Sequence, residues 1–245
     1  MKNTNKQFFY SKEALIYDKK RWSSMVGQYT DKIQKEIIKS MLFDVSGKKI
    51  LEIGAGTGRF SILLSEMGGE ITALDISQEM LNILKRKAEK ADIPNKINTV
   101  QSDASQKIPF PNETFDFCII INALSHIKDT QNLFKEVYRV LKPNGIFLSN
   151  YPNLISVYFP FGVIVNLRKR SLWEKVFTKW YSLKEIGKLY KMNNFRIISI
   201  KGQFHFPIHV NNKIFLYLLC FIDKIFRNSI LKYIASTVFI KVIKK

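Results

Sequence analysis

From residue 48 to residue 149, apolar runs of strand length alternate with helical stripes, and this rhythm does most to restrict the fold. Residues 49–53 (KILEI) form an apolar run ending on glycines, and residues 60–67 follow as a helix stopped by Gly68 and Gly69. Residues 70–76 (EITALDI) read as a second strand. Ser77 is placed to cap a helix carrying Met80, Leu81 and Leu84 at helical spacing. Residues 97–100 make a short third strand. The fourth, 115–121 (FDFCIII), is almost wholly apolar, as a strand covered on both faces must be. Leu133, Phe134, Val137, Val140 and Leu141 mark a helical stripe, and Pro143-Asn144-Gly145 is expected to turn the chain into a fifth strand at 145–149. Alternation of this kind calls for a parallel sheet with helices on both faces.

After Pro152 the rhythm breaks. Residues 153–180 are apolar and then basic. Residues 182–193 resume as a helix, with Ser182 and Glu185 spaced as a capping box. A sixth strand at 196–200, a helical stretch at 212–234 and a final strand at 237–243 (TVFIKVI) complete the pattern, while residues 11–43 read as two helices flanking Gly27. The 245 residues suit one domain. Its expected parts are a helical cap at 1–46, a core at 47–152, an insert at 153–180 and a C-terminal part at 181–245. The fold class is α/β, a doubly wound sheet of seven mostly parallel strands.

The turn after the first strand narrows the chemistry. It reads Glu52-Ile53-Gly54-Ala55-Gly56-Thr57-Gly58. Glycines there let the backbone turn tightly and approach a ligand closely. The spacing is G-x-G-x-G, not the G-x-G-x-x-G that aims helix N–H groups at a pyrophosphate. Asp75 ends the second strand, where a carboxylate can accept two ribose hydroxyls. Asp103, ending the third strand in QSDA, can accept an adenine amino group.

ILEIGAGTGRF (50–60), ITALDIS (71–77), QSDA (101–104), FDFCIIINALSHI (115–127) and VLKPNGIFLSNYPN (140–153) occur in this order. Together they resemble the class I S-adenosylmethionine-dependent methyltransferases, in particular the small-molecule branch with ubiquinone- and menaquinone-type enzymes. The resemblance covers residues 48–150. It implies a Rossmann-like sheet with the last strand antiparallel, S-adenosylmethionine as cofactor and S-adenosylhomocysteine as product. It implies that Glu52, Gly54, Ala55, Gly56 and Gly58 line the methionyl end, with Asn122 facing the same part. Asp75 would take the ribose, Ile76 and Met80 would pack on the adenine, and Asp103 with Ala104 would read its edge. The family often has a histidine where His126 stands, which makes it a candidate general base as well as a candidate pocket wall. The family builds its substrate lid from the N-terminal helices and the insert, so Tyr17, Arg21, Tyr29 and Tyr151 are candidate lid and substrate residues.

The net charge of +19 is uneven. Residues 1–150 carry 22 Lys/Arg against 17 Asp/Glu, whereas residues 151–245 carry 17 against 3. The C-terminal part is therefore expected to meet something anionic: a membrane surface, a nucleic acid or an acidic substrate. Residues 157–165 (VYFPFGVIV) lead into Arg168-Lys169-Arg170, and residues 214–222 lead into Lys224, Arg227 and Lys232. Apolar runs beside cations suit a helix lying on anionic lipid, but the favoured expectation is a run packed on the sheet or in a homodimer. The longest apolar run has nine residues, against about 20 for a membrane span.

Cys118 and Cys220 have no close Cys or His partner in sequence, and residues 1–10 lack an apolar signal core. Both features point to a reducing, cytoplasmic compartment, with peripheral membrane contact left open. No metal site is expected. Pro207 between His205 and His209 argues against a helical metal pair, and the two are read as loop or pocket residues. The function expected is methyl transfer to oxygen or nitrogen of a small lipophilic or aromatic acceptor, in secondary-metabolite or quinone-like biosynthesis. RNA methylation, supported by charge alone, and a non-catalytic cofactor-binding subunit are the alternatives. No Asn-Pro-Pro-aromatic motif follows the fourth strand, which counts against methylation of nucleic-acid bases.

Overall fold

The computed structural model describes residues 4–93, 96–156, 159–160, 178–204 and 212–245. Seven strands form one sheet in the order β3-β2-β1-β4-β5-β7-β6. They are β1 Lys49–Ile53, β2 Glu70–Asp75, β3 Ile97–Gln101, β4 Phe115–Ile120, β5 Leu141–Pro152, β6 Phe195–Gln203 and β7 Thr237–Lys244. β1 pairs in parallel with β2 and β4, β2 with β3, and β4 with β5. β7 runs antiparallel to both its neighbours, β5 and β6. The chain reverses its direction of travel across the sheet between β1 and β4. The carboxyl ends of these two strands therefore frame the crevice in which such sheets bind ligands.

Among the described residues, seven helices flank the sheet: α1 Thr4–Trp22, α2 Met25–Met41, α3 Arg59–Glu66, α4 Gln78–Lys90, α5 Thr130–Val140, α6 Leu183–Met192 and α7 Lys213–Phe226. One buried cluster joins Leu133, Phe134, Val137, Ile186 and Tyr190 of α5 and α6 to Phe147 and Ile240 of the sheet. A second joins Ile33, Ile37 and Ile38 of α2, Leu63 and Leu64 of α3, and Leu81 and Leu84 of α4 to the opposite face. This double cover explains why β4 shows no alternation of polar and apolar residues. The expected capping box at Ser182 and Glu185 is present, and Ser77 caps α4 by accepting from the Met80 N–H.

Three expectations are corrected. The break between the first two helices falls at Ser23 and Ser24, not at Gly27. Ser24 caps α2 by accepting from the Gly27 N–H at 3.0 Å, and a Cβ on Gly27 would stand 2.4 Å from the Arg21 carbonyl oxygen. The glycine serves close packing inside the first turn rather than a hinge. Pro143-Asn144-Gly145 lies within β5, where the pairing with β4 shifts register between Phe115 and Phe117. That segment is a bulge rather than the start of a strand. Finally, the stretch 212–234 is interrupted. α7 ends at Phe226, and a 3₁₀ turn, Ile230–Ile234, follows. His205, His209 and most of the insert lie outside the described residues.

Candidate active site

The loop after β1 forms the floor of a cleft at the carboxyl edge of the sheet. Glu52, Gly54, Ala55, Gly56, Asp75, Ile76, Met80, Asp103, Ala104 and Asn122 all line it, together with His126 and Tyr17. Gly56 has φ +55 and open space where a Cβ would be, and its N–H donates to Asp75 Oδ2 at 2.8 Å. The Ser77 N–H donates to Asp75 Oδ1 at 2.9 Å. These two bonds hold the carboxylate at the end of β2, where Asp75 lines the cleft. Gly58 is the exception among the expected contacts. It does not line the cleft, but has φ +82 and stands against α4, where a Cβ would meet Leu84 Cδ1 at 1.9 Å. Gly58 is there for helix packing behind the loop.

Two acids differ sharply in surroundings. Glu52 is buried, accepts a hydrogen bond from Ser61 Oγ, and has its carboxyl raised to about 7, chiefly by desolvation. Asp103 uses Oδ1 to accept the Ser105 N–H at 2.9 Å, while its buried Oδ2 has no hydrogen-bond partner. A buried carboxylate oxygen costs free energy until a donor reaches it. An adenine amino group is such a donor, so this orphaned atom fits an adenosyl ligand.

Asn122 follows β4 with φ +58, a left-handed conformation uncommon outside glycine. Its N–H donates to Asn150 Oδ1 at 2.7 Å and its Nδ2 donates to Gln34 Oε1 at 3.0 Å. Gln34 in turn donates to Gln203 Oε1 at 3.0 Å and accepts from Arg59. Arg59 lies 3.8 Å from the Trp22 ring centroid and 3.2 Å from Asp31, and burial lowers its pKa to about 10. Gln34, Asn150, Trp22 and Arg59 are not among the residues expected from sequence. Of these only Arg59, directly after the glycine loop, carried a signal in its position.

α1 closes the cleft. Tyr10, Tyr17 and Trp22 line it from above. Asp18 accepts from Thr57 Oγ1 at 2.7 Å and pairs with Lys87 of α4. Beyond this cleft lies a second cavity of about 460 Å³. Tyr10, Tyr17, Trp22, Asn122 and His126 line both, so the two meet at these residues. Arg21 and Tyr151 line the second cavity. Tyr151 is buried and its hydroxyl has no hydrogen-bond partner. Tyr29 is corrected: it lines neither space, being buried in the core beside Cys220 of α7.

Residues 51–149 match the model of the methyltransferase domain family. They form a methyltransferase domain. A demethylmenaquinone methyltransferase of Geobacillus sp. (strain WCH70) is 34% identical over 145 residues, covering 55% of this chain and 59% of that one. The chain thus spans less than two thirds of the length of the curated relatives it matches. Among solved structures, an S-adenosylmethionine-dependent methyltransferase from Thermotoga maritima superposes with a TM-score of 0.70 at 20% identity, covering 97% of this chain and 100% of that chain. The magnesium protoporphyrin IX methyltransferase of Synechocystis PCC 6803, with bound S-adenosylhomocysteine, gives 0.62 at 14% identity, covering 90% of this chain and 84% of that chain. These two likenesses concern the fold.

Proposed function

We propose that the chain transfers a methyl group from S-adenosylmethionine to a small, lipophilic aromatic acceptor held in the second cavity. The observation that carries this reading is the junction of the two spaces at His126 and Asn122, which brings a methyl donor in the cleft next to a cavity of small-molecule size. Its described lining includes three tyrosines, a tryptophan and one cation, Arg21, but no carboxylate. Such a lining favours a neutral or anionic acceptor, such as a phenol or quinol, over a cationic amine. Demethylmenaquinone methyltransferase activity in relatives points the same way.

The bound cofactor supplies an activated methyl on a sulfonium. The residues of this chain then have three tasks. Gly54 and Gly56 admit the methionyl part, Asp75 and Asp103 fix the adenosyl part, and α1 excludes water. His126 stands at the junction with Nδ1 3.4 Å from Thr178 Oγ1, placed to take the proton from an acceptor hydroxyl.

Release of S-adenosylhomocysteine with a panel of phenols, naphthols, quinols, amines and transfer RNA tests the reading. Methylation of an aromatic hydroxyl compound is expected. Turnover confined to RNA, or to amines, overturns it. His126→Ala should lower kcat about 10²–10⁴-fold with cofactor affinity unchanged. Unchanged kcat would reduce His126 to a pocket wall.

A further inference from the structure

α7 is built the wrong way round for a helix in water. Ile214, Leu218, Phe221 and Ile225 recur at i, i+4, i+7 and i+11 and so share one face. That face points outward: Ile214 is 80% exposed, Leu218 52%, Phe221 62% and Ile225 53%. Tyr217 beside them is 71% exposed. The one acid of the helix, Asp223, is turned inward and fully buried. The expectation that residues 214–222 pack on the core therefore holds for Leu219 and in part for Leu216 and Cys220.

This orientation is fixed by polar anchors. Asp223 Oδ1 accepts the Phe204 N–H at 2.8 Å, and its Oδ2 accepts from Arg227 Nη2 at 2.7 Å. Arg227 also stands 3.5 Å from Glu36 of α2, and its carbonyl accepts the Gly202 N–H at 3.0 Å. Rolling the helix over to hide its apolar face would expose Leu219 and strip the buried Asp223 and Arg227 of these partners, which is costly for a buried charge pair. The stripe is held outward by the fold.

We propose that this face of α7 docks on the surface of an anionic lipid bilayer. Charge complementarity selects that occupant. Residues 212–236 include no acid but the buried Asp223, and exposed Lys224 and half-buried Lys232 adjoin the apolar side chains. Exposed Lys32 and Lys39 stand on α2, against which α7 packs through Cys220 and Tyr29. Residues 151–245 carry a net +14. A second copy of the chain would bring the same cations and the same +19 to the contact. A bilayer of anionic lipid offers both acyl chains for the stripe and headgroups for the lysines. With 14 residues, α7 is about 21 Å long, shorter than the hydrocarbon core. No described helix is long and apolar enough to cross a membrane. The contact is therefore along the surface.

Docking of this kind is independent of the acceptor, and its test uses no acceptor. The full chain is mixed with vesicles of phosphatidylcholine alone and of phosphatidylcholine with phosphatidylglycerol, and bound protein is read by flotation. Binding is expected on the mixed vesicles, weakened by salt and nearly lost on phosphatidylcholine alone. Leu218→Ser with Phe221→Ser should weaken it about tenfold or more, with the thermal midpoint and cofactor binding unchanged. The emission added by Phe221→Trp should shift to the blue on binding and be quenched by brominated acyl chains. Equal binding by the double variant, or no shift in the emission that Phe221→Trp adds, overturns the proposal. So does a concentration-dependent dimer, seen by light scattering, that the double variant abolishes.

Discussion

Asn122 and Asn150 hold each other by two hydrogen bonds, from the Asn122 N–H to Asn150 Oδ1 at 2.7 Å and from Asn150 Nδ2 to Asn122 Oδ1 at 2.9 Å. The pair bridges the ends of β4 and β5 and keeps Asn122 at φ +58, facing the cleft. Asn150 itself is buried. Asn150→Ala leaves the Asn122 backbone donor without its partner. The expected loss is about 1–3 kcal/mol of stability, read by denaturant unfolding, with cofactor affinity reduced about tenfold. Unaltered cofactor affinity in a folded variant would show that the pair only supports the sheet.

α1 is held over the glycine loop by Asp18, through Thr57 and Lys87. Lys87 Nζ also donates to the Thr57 carbonyl at 3.1 Å, so the three groups close a ring between α1, the loop and α4. Asp18 is over a third exposed, so its removal should cost at most about 1 kcal/mol of stability. The larger effect falls on the closed state. Asp18→Ala should speed S-adenosylhomocysteine release about tenfold in stopped-flow displacement, since lid opening sets such rates.

The acid at each strand end was readable in the sequence because the strand ends and the cleft coincide in this sheet. Asp75 and Asp103 stand where their position in the motifs implied. Gly58 was misread because glycine in a turn has two uses, and only the distance to Leu84 separates close packing from ligand contact. Tyr29 was misread for a similar reason: periodicity shows that α2 has a buried face but not which residues turn toward the cleft. Gln34, Asn150 and Gln203 meet through pairings 28 to 169 residues apart, and nothing local in the chain announces them. The outward stripe of α7 was also hidden. Its apolar residues looked like core, and the inward turn of Asp223 depends on Phe204 and Arg227.

Asp103 offers a clean separation of binding from folding. Its Oδ2 has no partner within the protein, so the hydrogen bond expected there belongs to the ligand alone. Asp103→Ala removes that acceptor and the bond from the Ser105 N–H. Cofactor affinity should fall about tenfold or more by calorimetry, with stability lowered by only about 1 kcal/mol. A variant with wild-type affinity would remove Asp103 from the adenine subsite.

Glu52 should make both stability and cofactor binding depend on pH, in opposite directions. Its carboxyl is raised from 4.5 to about 7 because burial disfavours the charged form more than the Ser61 bond supports it. Below pH 4.5 the folded and unfolded chains both hold the proton. Between 4.5 and 7 the native state alone keeps it, so stability falls as pH rises through that window, by about 3 kcal/mol in all. Glu52→Gln should flatten this slope in urea titrations at pH 5 and pH 8. For the cofactor the sign reverses. An α-amino cation beside Glu52 favours the carboxylate, so binding should release a proton near pH 7 and tighten as pH rises through it. Calorimetry in two buffers of different ionisation enthalpy reads that proton directly. If none is released, Glu52 keeps its proton and serves the loop rather than the ligand.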